Sequence, residues 1–352
     1  MLQSKNESKN LSALQESQRA FGADLLKVVS IIAVLFIHSA ILIPFIPSRF
    51  DLKNPNAWIQ LTTHLLRVCV PVFVFLFTYF LEKSILKRGT QSIWKRFIKL
   101  FVPFICWSTI YFLIIADFRN LSITTAITKY WSGYGWAGQY YFVILFQIMA
   151  LFVFIRKISS LLINHVSLVY LFSIIMFLIA SYSKIFDISL IEKIGERGII
   201  YWLPYAILGV IHAHKNIFRY PSKYFLFLLI IFMPVEVFYL HLGTIRPYLT
   251  TTVFLSSMLL INWLINVKSL TIKDSWISNC INYIANNTLG IFCINPLIVI
   301  TADAIMKPLN LQLQFPGCTI ITPIISTLFV LVICLLMINL LKFLKLSFLV
   351  SN

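Results

Sequence analysis

Residues 24–40 read DLLKVVSIIAVLFIHSA. After Asp24, only two serines and two basic groups, Lys27 and His38, interrupt the apolar run. About 20 mainly apolar residues in a helix cross the hydrocarbon core of a bilayer, so this run and its continuation to residue 46 read as a membrane span. Eleven residues at 100° each bring His38 to within roughly 20° of Lys27 around the helix and about 16.5 Å further along its axis. An ionisable group inside lipid costs at least about 2.5–3.5 kcal/mol, so two on one face call for an explanation.

The same kind of run recurs along the chain. After 24–46 come 58–82, 97–116, 139–156, 161–182, 199–213, 223–241, 249–267, 284–305 and 319–341. The sixth is short and contains Pro204. The expected fold class is therefore all-α integral membrane, a bundle of about ten transmembrane helices. Residues 1–22 are polar and rich in Ser and Asn and read as a flexible cytosolic tail. Residues 23–346 form the helical domain, and 347–352 a short second tail.

Composition excludes most alternatives. Of 352 residues, 59% are hydrophobic and 12% charged, where a soluble domain carries about a quarter charged. The formal charge of +17 would suggest nucleic acid in a soluble protein. Here no basic helix carries base-reading polar residues, so the excess is read as positive-inside topology against anionic membrane lipid, with no nucleic-acid partner. A cytosolic amino terminus puts 19 Lys and Arg on the inner side and nine outside, with Arg67 inside a span. Both termini are expected in the cytosol. Four of the six Cys (Cys69, Cys106, Cys293 and Cys334) lie inside apolar runs, and no CxxC occurs, so neither a disulfide nor a metal site is expected.

Four groups of ionisable residues stand inside or at the edges of the runs. Lys27 also fits a lysine snorkelling at a helix end, and Asp24 a helix cap. His64 and Arg67, three apart in LTTHLLRVCVPVF, share a face. Arg67 lies too deep to snorkel easily, so it faces a polar cavity, a counter-ion or a hydrogen-bonding partner on another helix. Arg96 and Lys99, in WKRFIKLFVPF, mark either topology or an anion clamp for phosphates. Glu236, beside Pro234, is either a site carboxyl or a packing hydrogen bond. Tyr140, Tyr141 and Trp202 supplement these as substrate contacts or as members of the interfacial aromatic belt. An imidazole can take a proton from a hydroxyl near neutral pH, and a basic mouth suits a phosphorylated donor. That is the chemistry of acyl transfer from a coenzyme A thioester. The motifs GxSxG and P-loop are absent.

With these residues in view, the chain resembles the membrane acyltransferase-3 family, whose members O-acylate bacterial cell-surface sugars. The family's first span carries a basic residue, ten intervening residues and a histidine; Lys27 and His38 match, with Lys where Arg is usual. LLRVCVPVFVFLFTYFL (65–81) is similar to its second span, with Arg67 and Pro71 in place. RFIKLFVPF (96–104) is similar to its basic-x-x-basic entry to the third span. QYYFVILFQ (139–147), YWLPYAILG (201–209) and LGIFCINPLIV (289–299) resemble later spans in the expected order. Three departures are visible: Phe77-Thr78 where Ser-Gly is usual, Gln139-Tyr140-Tyr141-Phe142 where His-Leu-Trp-Phe is common, and Asn295 in place of a histidine.

The resemblance implies a multi-pass protein of a bacterial inner membrane, with acyl-CoA, most simply acetyl-CoA, as co-substrate and no permanently bound cofactor. The acceptor it implies is a glycan or lipid-linked sugar. On that reading Lys27, Arg96 and Lys99 hold the donor, His38 is the general base, and Arg67 with His64 stabilises the oxyanion or orients His38. Tyr140, Tyr141, Trp202, Asn295 and Glu236 are the expected substrate contacts. Two rivals remain at this point. One is an exporter or flippase of a polysaccharide or its lipid-linked precursor, with the same residues lining a path. The other is a non-catalytic assembly or sensing protein.

Overall fold

In a computed structural model the described residues are 2–39, 57–116, 118–182, 197–214, 222–241, 248–265, 267, 276–306 and 321–350. The outer end of the first expected span (40–46), residues 183–196 of an outer connection, and Cys318 lie outside them. Among the described residues every long element is a helix and there is no strand, as a lipid-embedded chain requires when each backbone N–H must find a partner within its own segment.

Helix α1 runs Leu2–Ser39. No Pro or Gly occurs in residues 2–20, so nothing in the chain ends the helix before the polar stretch expected as a tail. Next come α2 (Ala57–Leu66), α3 (Cys69–Arg88) and α4 (Gln91–Ile115). Beyond short helical turns at 118–131 lie α5 (Gln139–Ala150), α6 (Phe152–Leu162), α7 (Val166–Ser181) and α8 (Ile199–His214). The chain closes with α9 (Ser222–His241), α10 (Thr251–Leu264), α11 (Trp276–Asn286), α12 (Thr288–Met306) and α13 (Ile321–Phe343). Among the described residues six helices are long and apolar enough to cross a membrane, and α8 and α10 are shorter apolar helices.

Two of the expected spans depart from a regular helix, the first within one continuous crossing, Trp58–Arg88, and the second at a sharp bend. Between α2 and α3 the helix is interrupted at Arg67-Val68. Pro71 explains the break: it has no N–H for the carbonyl of Arg67, four residues back, and its ring crowds that carbonyl. The second break, between α5 and α6, bends the chain by 66°. No Pro or Gly stands there. The turn lets α6 bury Phe152 and Ile155 while Arg156 reaches Glu82 on α3.

Helix α1 is central, packing against α2, α3, α10, α11, α12 and α13. Ser30 and Ser39 of this helix are therefore buried, and His38 meets α12. The most extensive helix pair is α3 with α8, and Gly209 makes it possible. A Cβ at Gly209 would collide with Thr78 Oγ1 and lie 2.5 Å from the Phe75 carbonyl. Thr78 directs its hydroxyl proton to the Val74 and Phe75 carbonyls at 3.1 and 3.0 Å, so its oxygen meets Gly209 without an unspent donor. Gly209→Ala is expected to cost about 1–3 kcal/mol through overpacking, read as a lower thermal midpoint of the detergent-solubilised protein. An unchanged midpoint would mean that the two helices separate without cost.

Candidate functional site

Among the described residues, three polar groupings hold most of the expected site residues.

The first is a cleft that opens to the surface, with about 90 Å³ of space for water-sized groups. Lys27, Arg96, Tyr141, Phe77, Phe80 and Phe292 are among its walls. Lys27 Nζ pairs with Asp24 Oδ1 at 2.7 Å, one helical turn away, and sits 4.7 Å from the centroid of the Phe80 ring. The Arg96 guanidinium lies 5.3 Å from the Phe77 ring, and among the described residues it has no carboxylate partner. Two cations against one carboxylate, held on aromatic faces, leave a net positive cleft. Lys99 is exposed and lies outside its walls. Three residues turn a helix by 300°, which leaves Lys99 roughly 60° from Arg96 and off the cleft wall.

The second grouping joins α1 to α12. His38 Nδ1 is hydrogen-bonded to Asn295 Oδ1. Asn295 is fully buried, and its Nδ2 donates to the carbonyls of Ile291 at 3.0 Å and Phe292 at 2.7 Å. Tyr111 Oη donates to the next carbonyl, that of Cys293, at 2.7 Å. Among the described residues His38 Nε2 has no hydrogen-bond partner. One turn below Asn295, the Phe292 ring lines the cleft, so the first and second groupings share a wall.

The third grouping surrounds the break after α2. Arg67 Nη1 lies 3.4 Å from His64 Nδ1, and His64 Nε2 lies 3.5 Å from Thr250 Oγ1. A guanidinium can only donate, so the lone pair of His64 is the one on Nδ1, and its proton sits on Nε2 facing Thr250. The two imidazoles are thus distinguished: the lone pair of His64 is turned to Arg67, whereas that of His38 is open. Arg67 also stacks on Tyr248 at 5.2 Å, and Tyr248 packs against Tyr140 at 6.1 Å. Arg67 Nε is buried without a hydrogen bond.

Glu236 belongs to this third group through the backbone. Its carboxylate accepts from the N–H groups of Thr251 and, at 2.7 Å, Thr252, and from Tyr182 Oη at 3.2 Å. It caps α10 from a neighbouring helix, while Thr250 caps the same helix from within by accepting from Val253 N. Glu236→Ala is expected to strand two buried N–H groups at roughly 1–3 kcal/mol each. A thermal midpoint well below that of the wild-type protein would follow, with Glu236→Gln between the two. Equal midpoints for Glu236→Ala and wild type would remove the capping role.

Trp202 is buried against Tyr205 in the aromatic core. Gln139 is also fully buried, accepting from Gly135 N at 2.7 Å and donating to Ser108 Oγ and the Tyr130 carbonyl at 2.7 and 2.6 Å. It pins the loop before α5, where Gly133 and Gly138 take positive φ. Beside that loop, outside the helices, Arg197 stacks on Tyr134, and burial lowers its pKa to about 10.

Sequence reasoning missed one ionic cluster. Glu82, fully buried on α3, contacts Arg156 of α6 at 2.6 Å and His214 of α8 at 2.8 Å. A carboxylate at the end of an apolar run was the available signal.

The sequence profile of the family described as "acyltransferase domain" matches residues 21–340, which takes in the cleft, His38, Asn295 and the Arg67 group. Comparisons with curated proteins and with solved structures give no match. With nine-tenths of its length covered by that profile, the chain belongs to the membrane acyltransferase-3 family.

Proposed function

We propose that the protein carries an acyl group, most simply acetyl, from a cytosolic coenzyme A thioester to a hydroxyl of a surface or lipid-linked glycan, in a bacterial inner membrane. The observation that carries this reading is helix α1. It holds Lys27 in the net positive cleft and, roughly 16.5 Å further along one face, His38 with an open Nε2. The donor's phosphates would meet Lys27 and Arg96, and its thiol-ended arm would run along α1 towards His38. His38 Nε2 takes the proton of the acceptor hydroxyl as that oxygen attacks the thioester carbonyl. The tetrahedral oxyanion collapses, the C–S bond breaks, and the imidazolium returns the proton to the departing thiolate. Arg67, with a free Nε–H, is the candidate donor to the oxyanion.

The test uses membranes from a strain lacking the native gene, with and without the wild-type protein. Acyl-labelled coenzyme A thioester is supplied on the cytosolic face, and alkali-labile label is counted on the glycan. Ester label that depends on the protein is the expected result. The bent pair α5/α6 gives a carrier reading its structural argument, since transporters use interrupted helices. Glycan export that depends on the protein, with no ester label, would replace the acyltransferase reading with that one.

A further inference from the structure

Resting on the acyltransferase reading, we propose that Asn295 is a positioning residue of the reaction. It holds the His38 imidazole in the tautomer whose Nε2 lone pair is free, and Pro296 is what fixes the asparagine.

The argument begins with the proline. Within α12, the carbonyl of Phe292 would ordinarily accept from the N–H four residues on, at position 296. Pro296 has none. The orphaned carbonyl is satisfied instead by Asn295 Nδ2 at 2.7 Å, and the second Nδ2 hydrogen reaches the Ile291 carbonyl at 3.0 Å. Both amide protons are spent, so the amide cannot rotate by 180° without turning its oxygen onto two carbonyl oxygens. Oδ1 is thereby directed across to α1, where it meets His38 Nδ1. An amide oxygen only accepts, so His38 Nδ1 must carry the proton. In a neutral imidazole that leaves the lone pair on Nε2. Cys293 contributes from the same turn: Tyr111 on α4 braces its carbonyl and so holds the distorted turn that presents Asn295. An Asn-Pro pair in a buried helix thus becomes a device that sets the protonation site of a base 257 residues away in sequence.

This role differs from a contact to substrate. Full burial and three used hydrogen-bonding positions leave Asn295 little to offer an acceptor sugar.

The experiment compares wild type, Asn295→Leu and Asn295→Asp as full-length protein in membranes. Folded protein is quantified by thermal unfolding after solubilisation, and kcat and KM are measured for donor and acceptor. Leucine keeps the volume and removes the acceptor. Aspartate keeps an acceptor for Nδ1. Loss of the correct tautomer is expected to lower kcat of Asn295→Leu at least about 10²-fold per folded molecule, with both KM values within about twofold of wild type. Asn295→Asp is expected to recover at least tenfold over Asn295→Leu. A wild-type kcat in Asn295→Leu, a loss that resides in the acceptor KM, or equal activities of the two variants would overturn the inference while leaving the acyltransferase reading in place. A wild-type protein that forms no ester would overturn both.

Discussion

His38→Ala is expected to lower glycan acylation by about 10²–10⁴-fold, the usual contribution of a positioned general base, while its membrane level and thermal midpoint stay close to wild type. The two halves of that expectation have separate causes. Of the imidazoles of His38 and His64, that of His38 has the lone pair left open among the described residues, because His64 Nδ1 faces the Arg67 guanidinium. Alanine at 38 therefore removes proton transfer with no nearby substitute. Stability changes little because the His38 side chain is partly exposed and makes one hydrogen bond, a net loss of about 1 kcal/mol. Donor binding should survive as well, since Lys27 lies roughly three helical turns away along α1 and Arg96 lines the cleft beside it from α4. The measurement is ester-linked label per unit of membrane protein, with donor affinity determined separately. A variant that keeps more than a tenth of wild-type acylation would remove His38 from the role of base. A variant that stops glycan export itself would point to a carrier.

Much of this site could be read in the chain because its key relation lies within one helix. The 11-residue spacing of Lys27 and His38 fixes a common face whatever the rest of the fold does. Hydropathy located the runs for a similar reason: burial in lipid is a local property of each segment. The sequence could not show which atom meets His38. Asn295 lies 257 residues away, and only the packing of α1 on α12 brings the two together. Arg67 and His64, expected to stabilise the oxyanion or orient His38, pair with each other and with the start of α10, and the contact to His38 comes from Asn295. Glu236 shows the same limit. A carboxyl in an apolar run signals a polar partner, yet the partner here is the backbone N-terminus of another helix, which no side-chain pattern announces. Lys99 shows a subtler one. Three-residue spacing makes neighbours on a helix surface, but a rotation of roughly 60° is enough to leave one cation in a cleft and its neighbour outside it.

Glu82→Ala is expected to lower stability by about 3 kcal/mol and to leave acylation per folded molecule within a few-fold of wild type, the reverse of the His38 pattern. Glu82 is fully buried where α3, α6 and α8 meet. Its Oε1 binds His214 Nε2 at 2.8 Å, and its Oε2 lies 2.6 Å from Arg156 Nε in a charge contact without the linear geometry of a hydrogen bond. Removing one member of a buried ion pair typically costs about 3–5 kcal/mol, because the partner is left uncompensated. Arg156 and His214 are 31% and 33% exposed, so water recovers part of the loss and the lower end of that range applies. The same logic makes a prediction about repair. Replacing Glu82 and Arg156 together by leucine removes the charge and its counter-charge at once, and buried pairs exchanged for apolar side chains are often neutral. The double variant is therefore expected to regain most of the thermal midpoint lost by Glu82→Ala. Since α6 turns by 66° with Arg156 held at this carboxylate, the double variant also asks what maintains the bend. If the midpoint returns, burial of Phe152 and Ile155 is sufficient to hold α6 in place. If it stays at the Glu82→Ala value, the ion pair sets the bend, and the stabilising role assigned to apolar packing at α6 is wrong.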